Sequence, residues 1–344
     1  MIASFKRVII FITLVFVASG CVQVPRRAST SLPSEKAASP SAQAGDLAGE
    51  PQVEPDSISL PALAEKELDG NSLTLGKVLA GNSAYTRYYS TYNSGRFKIS
   101  GIMNVPTGKG PFPVLILNHG HIDTAVYTNG RGLKREQDYL ARRGYVVLHP
   151  DYRNHADSDK DPDDEYSLRF SYTEDVINAV LAVKNSGFSF VDPERIGMLG
   201  HSMGGGIAQN VMVAKPDLVK AFVLFAPVSS QYRDNFEKWV QRRAEIADVI
   251  IREHGTPESN PSFWDNVSPI NFLDRVVAPV QIHHGTADQS VPLAWSQKLD
   301  DALERTGAEH QLYVYDGEPH EFINAWPLVM QRTVDFFDTQ VKAQ

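Results

Sequence analysis

The run Gly200-His201-Ser202-Met203-Gly204 sets one hydroxyl between two glycines, directly after the apolar stretch IGML. This is the pattern G-x-S-x-G, whose serine occupies a sharp strand-to-helix turn that only small flanking residues permit. Chance supplies the pattern roughly 0.1 times in a chain of this length at ordinary glycine frequency. A serine hydroxyl is a weak nucleophile until a histidine accepts its proton, and the histidine needs a carboxylate to fix its tautomer. With these partners in the chain order serine, acid, histidine, the sequence points to Asp288 in HHGTADQSVP and His320 in YDGEPHEF. Asp265 and Asp274 also lie in the interval, but neither follows an apolar strand. The chemistry expected is acyl transfer through a serine ester, which requires no metal and no cofactor.

Such a reaction also needs amide donors aimed at the developing oxyanion. One is expected at the N–H of Met203 and the other in the loop after LILN, where HGH stands: the N–H of His121, with Ile122 next in line. The His119 and His121 side chains are read as shaping that loop. His201 is the free position inside the turn, and His283 and His284 end a strand as packing or loop-bracing residues. Tyr127 is the tyrosine of the same loop and a candidate substrate-binding or oxyanion hydroxyl. Tyr232, Trp239 and Trp264, with Phe236 and Phe263, are aromatics that either line a substrate pocket or pack against the sheet. Two metal readings are outweighed. Asp157, Asp159 and Asp161 alternate like a calcium loop, but Pro162 stands where that loop needs glycine and Leu168 where it needs a carboxylate. His283, His284 and Asp288 as zinc ligands would strand Ser202 without a base.

The elements that must position these residues can be read from the pattern of apolar runs. YTRYYSTY, the turn Asn93-Ser94-Gly95 and RFKISGIMNVP predict a hairpin. FPVLILNHG, YVVLHPDYR, IGMLG, AFVLFAP, PVQIHHG and HQLYVYDG read as strands, with helices between them and a last helix over about 325–341. Strands alternating with helices predict a mostly parallel sheet covered on both faces, with ligands bound outside the carboxyl ends of the strands. His119, Ser202, Asp288 and His320 all lie just past strand ends. The rhythm breaks once, between LFAP and PVQI. There an amphipathic stretch, Asp234 to Glu253, predicts a helical cap inserted over residues 231–276, the alternative being a helix packed on the sheet with a long surface loop.

VDPERIGMLGHSMGGG, SPINFLDRVVAPVQIHHGTADQSVP and GEPHEF together resemble the catalytic domain of the prolyl oligopeptidase family and related α/β-hydrolase esterases, over about residues 85–340. The resemblance implies an α/β-hydrolase fold with a nucleophile, acid and base at Ser202, Asp288 and His320. Peptidases of that family carry a β-propeller. About 50 residues stand between the presumed tether and FPVLILNHG, too few for one, so carboxylic esters are expected as substrates, with short peptides as the alternative. A catalytically silent binding protein is the alternative from outside enzymes, and the intact serine, acid and histidine weigh against it.

The chain has 344 residues, 42% hydrophobic, and a net charge of −8. No basic stripe appears, which argues against nucleic acid as a partner. Lys6 and Arg7 precede an apolar run from Val8 to Val17, too short to span a bilayer and suited to a signal peptide over residues 1–20. It ends in Ala18-Ser19-Gly20-Cys21, where Cys21 is the sole cysteine. This resembles a bacterial lipoprotein signal, with alanine in place of the usual leucine. It implies lipidation at Cys21 and anchoring to the bacterial cell envelope, at the outer membrane or cell surface. Residues 21–56, rich in Pro, Ser, Ala and Gly, read as a disordered tether spanning on the order of 30 Å. The catalytic domain is then expected over 57–344.

Overall fold

The computed structural model describes residues 56–343. The signal-peptide reading, Cys21 and all but the last residue of the tether lie outside them. Nine strands form one sheet: β1 (Asn71–Gly81), β2 (Tyr85–Ser94), β3 (Phe97–Pro106), β4 (Phe112–Asn118), β5 (Val146–Pro150), β6 (Val191–His201), β7 (Phe222–Phe225), β8 (Val280–Gly285) and β9 (His310–Tyr315). Their order is β1-β2-β3-β5-β4-β6-β7-β8-β9. From β5 to β9 neighbours run parallel, whereas β1, β2 and β3 add on as antiparallel strands.

The central parallel strands β4, β5 and β7 are buried along nearly their whole length because both faces of the sheet are covered. Along β4, Val114 and Ile116 enter one core while Leu115 and Leu117 enter the other, as strand alternation requires. The first face is covered by α1 (Leu60–Glu65), α3 (Phe170–Lys184), α4 (Met203–Ala214) and α8 (Leu293–Thr306). The second is covered by α2 (Lys134–Ala141) and α9 (Trp326–Phe337). Chain order places β5 on one side of β4 and β6 on the other, so the crossovers diverge at β4. Ligands gather at the carboxyl edge of such a switch point.

Two elements differ from expectation. The sheet gains β1, an edge strand that is mostly solvent-exposed and breaks register three times along β2. Its alternation is confined to Leu73 and Leu75 and no apolar run of strand length follows, so it was not read as a strand. The predicted cap helix is broken: α5 (Tyr232–Asn235), a π-helical turn over Phe236–Val240, then α6 (Ala244–His254), followed by α7 (Pro261–Asn266). The π turn closes with Gln241 N–H donating to Phe236 C=O at 2.9 Å. It lets Phe236 pack on Trp264, with ring centroids 4.7 Å apart, while Trp239 and Val240 face a cavity.

Candidate active site

Ser202 stands where β6 passes into α4, at φ 56° and ψ −117°. A left-handed φ is unfavourable for a residue with a Cβ and persists only where surroundings over-determine it. They do so here. Ser202 N–H donates to Phe225 C=O at 2.9 Å, and its own carbonyl accepts from Gly205, Gly206 and Val228 at 2.9, 3.2 and 3.2 Å. The flanking glycines are a steric need. A Cβ on Gly200 would lie 2.2 Å from Gly204 O, and one on Gly204 would lie 2.1 Å from Asn118 O.

Asp288 follows β8 and His320 follows β9. His320 Nδ1 and Asp288 Oδ2 are 2.6 Å apart. The other carboxylate oxygen accepts from the backbone N–H groups of Ser290 and Val291 at 2.8 and 2.9 Å. Burial alone would raise the Asp288 pKa. Hydrogen bonds from His284 and His320, with that of Val291 N–H, outweigh it and hold the carboxyl well below the ordinary range. An ionised acid at Nδ1 leaves Nε2 of His320 as the basic nitrogen.

Ser202 and His320 line one cavity of about 620 Å³, joined by His121 and Ile122 on the loop after β4. That loop stands directly against the serine, because a Cβ on Gly120 would lie 3.2 Å from Ser202 Cβ. The Met203 N–H opens α4, where helix amides have no intrahelical acceptor. Ser202 Oγ itself makes no hydrogen bond among the described residues, so the hydroxyl and the imidazole share a cavity without being joined at rest. Hydrogen bonds of this kind often tighten only when substrate is present.

The cap supplies Tyr232 and Trp239 to the cavity wall. Trp264 is not among the lining residues. It is buried in the cap core, with its indole N–H donating to Gly255 C=O at 3.2 Å. Tyr127 is likewise removed from the cavity. Its hydroxyl donates to Asp151 Oδ1 at 2.8 Å, and burial followed by the Asp151 charge drives its pKa far up. It therefore serves as no oxyanion donor. Of the acidic run, Asp159 accepts from Lys98 N–H at 2.7 Å and Asp161 pairs with Arg153 at 2.9 Å. Both nitrogens of His283 are engaged, by Tyr315 and Gln281 at 2.8 Å each, which leaves none for a metal.

Apart from His284, read above as a packing or loop-bracing residue, the residues that position the site carried no sequence signal. Asp151, at the end of β5, pins the loop after β4 by accepting from Tyr127, Asn129 and Gly130. His201 Nε2 lies 3.2 Å from His320 C=O and so ties the histidine loop to the serine turn. Burial, then the His320 charge, lowers the His201 pKa to about 4. His284 braces the acid, with Nε2 3.2 Å from Asp288 Oδ2 and Nδ1 2.7 Å from Ser296 Oγ. Glu318 closes the histidine loop by accepting from Ile323 and Asn324 N–H. The Asp151 and His201 contacts join segments 21 to 119 residues apart, which residue type alone does not reveal.

A parallel sheet with a strained serine at its switch point, and an acid and a histidine at later strand ends, defines a serine hydrolase of α/β-hydrolase type. Residues 131–344 match the prolyl oligopeptidase family, and the chain belongs to it. Among its relatives, an uncharacterized peptidase of Bacillus subtilis, YtmA, is 24% identical over 242 residues, 70% of this chain and 88% of that protein. A probable isoprenylcysteine alpha-carbonyl methylesterase of Oryza sativa is 26% identical over 198 residues, 53% of this chain and 44% of that protein. The chain thus spans less than half of the rice protein. Acetyl xylan esterase 1 from a Thermoanaerobacterium species shares the fold with a TM-score of 0.63 at 17% identity, over 82% of this chain and 93% of that one.

Proposed function

We propose that this protein hydrolyses carboxylic esters through an acyl-enzyme, with Ser202 as nucleophile, His320 as base and Asp288 as the acid that orients it. The observation that carries the reading is the strained Ser202 backbone in a cavity it shares with an Asp288-bonded His320. In this mechanism His320 Nε2 takes the Ser202 Oγ proton as the hydroxyl attacks the ester carbonyl. The N–H groups of Met203 and His121 receive the oxyanion. The proton passes to the departing alcohol, and water then enters by the same route to release the acid. Removing one oxyanion donor would cost about 3 kcal/mol of barrier.

Esters are preferred to amides because an amide nitrogen leaves only when protonated in close alignment, which leans harder on positioning. A relative described as a methylesterase agrees with this. Peptidase action on short peptides is the second reading, favoured by the family match. We also propose that the protein is exported and lipid-anchored at Cys21 to a bacterial envelope.

The test compares matched ester and anilide substrates, a proline anilide included, with fluorophosphonate labelling of wild type and Ser202→Ala. The expected result is ester turnover that falls about 10³-fold or more in Ser202→Ala, together with loss of labelling. Undiminished labelling of the variant would place the nucleophile elsewhere. A proline anilide cleaved as well as the best ester would replace esterase by peptidase.

A further inference from the structure

The cavity wall carries an arginine that the hydrolytic machinery does not use. Arg169 lies immediately before α3 and lines the cavity together with Ser202, His121 and Tyr232. It has no carboxylate within ion-pair distance among the described residues, and its guanidinium lies 5.5 Å from the Tyr172 ring centroid. The other arginine of the wall, Arg243, is already committed to Glu165 at 2.5 Å. Asp164, an acid on the same loop, is buried and takes a hydrogen bond from Ser171. Among the residues lining the cavity the one carboxylate is that of Glu321, on the histidine loop.

The backbone adds a second observation. Leu168 and Arg169 are successive non-glycine residues at φ 50° and 68°, and both line the cavity. Strained backbone of this kind gathers at ligand clamps, where surrounding structure holds it. Here the Arg169 carbonyl accepts from Thr173 N–H at 3.2 Å, which fixes the residue to the first turn of α3. The Arg169 charge is also felt across the cavity. Burial, and then that charge, lowers the His121 pKa to about 4, so His121 stays neutral near pH 7 and adds no second positive charge beside Arg169.

A half-buried guanidinium beside a nucleophile calls for an anion, and its planar fork matches a carboxylate bidentately. We propose that Arg169 is an anion-binding subsite, so that the preferred ester carries a free carboxylate that Arg169 holds while Ser202 attacks the ester carbonyl. This rests on the serine-hydrolase reading of Ser202. The carboxylate sits on either the acyl or the alcohol portion of the substrate, and the experiment separates the two.

Wild type, Arg169→Met and Arg169→Lys are compared on two matched pairs. The mono-p-nitrophenyl ester of glutaric acid against p-nitrophenyl pentanoate reports an acyl-side carboxylate. 3-Carboxyphenyl butyrate against phenyl butyrate reports one on the alcohol. In wild type at least one anionic ester should exceed its neutral partner in kcat/KM by about 10- to 100-fold, mainly through KM. That ratio should collapse toward 1 in Arg169→Met, with part of it kept in Arg169→Lys. A wild type indifferent to the carboxylate, or an unchanged ratio in Arg169→Met, overturns the subsite. If no ester is turned over, fluorophosphonate labelling decides the fate of the nucleophile separately. The subsite is then read by calorimetric titration with monobutyl glutarate. Binding by wild type that is lost in Arg169→Met upholds it, and equal or absent binding overturns it.

Discussion

His283 and His119 illustrate how this molecule treats ionisable side chains that do no chemistry. Both are fully buried, and burial in each case is the largest cause of a pKa lowered to about 3. The folded values lie below the ordinary histidine value of about 6.5, so as pH falls the unfolded chain takes up protons first. Their contribution to stability is therefore complete above about pH 6.5 and lost as pH falls toward the folded values. Asp288 acts in a lower window, because its depressed pKa stabilises the fold above about pH 3.9 and that share is lost below it. Urea unfolding should accordingly show a lower midpoint at pH 5 than at pH 7.5. His283→Gln should remove up to about 2 kcal/mol of the difference. An undiminished pH dependence in that variant would show that His283 takes no part in it.

At the scale of elements, the serine turn depends on the end of β4 as much as on β6 and α4. Gly204 meets the carbonyls of Asn118 and His119, so the first turn of α4 is set against the strand that launches the oxyanion loop. A Cβ there would press on backbone, which cannot rotate away. Gly204→Ala is expected to destabilise the fold by about 3 kcal/mol or more, or to prevent folding. Gly81→Ala, at the edge of β1 with nothing within 4 Å of its Cβ, should stay within about 0.5 kcal/mol of wild type. Equal stability of the two variants in chemical denaturation would refute the close approach. The cap follows the same logic of division. Its π turn sends Phe236 inward and Trp239 to the cavity, and an unbroken helix would have rotated one of them away.

For the whole molecule, the sheet gathers residues from positions 120 to 321 around one cavity at its carboxyl edge. Among the described residues no helix is long and apolar enough to cross a membrane. The membrane attachment proposed above rests on Cys21, the sole cysteine of the chain. Cell fractionation of the full chain should find wild type with membranes and Cys21→Ser in the soluble fraction, with ester hydrolysis per molecule within about twofold, since lipid chains would supply membrane affinity and take no part in acyl transfer. Sedimentation of Cys21→Ser with membranes would dismiss the lipid anchor.

The reach of each interaction along the chain divides what could be read from sequence from what could not. The serine turn was legible because its residue pattern falls within the five residues from Gly200 to Gly204, although the carbonyl that Gly204 must clear, Asn118 C=O, lies on β4. The parallel sheet was legible because strands buried on both faces must be apolar runs, and helices must separate them. Asp288 and His320 were nameable because chain order and strand ends restrict the choices. Their separation of 2.6 Å is a fact of the folded chain alone. Tyr127 was misread because its partner Asp151 lies 24 residues away and buries it. Trp239 and Trp264 belong to one inserted segment and one residue type, yet Trp239 on the π turn lines the cavity while Trp264 on α7 is buried away from it. The braces from His201 and Glu318, and the lack of an ion pair at Arg169 among the described residues, were invisible for the same reason, while His284 was read as packing or loop-bracing without its partners. Each depends on which groups are or are not within a few ångströms. Residue type and periodicity determine which surfaces seek burial, but only the packed tertiary structure determines which polar groups then meet.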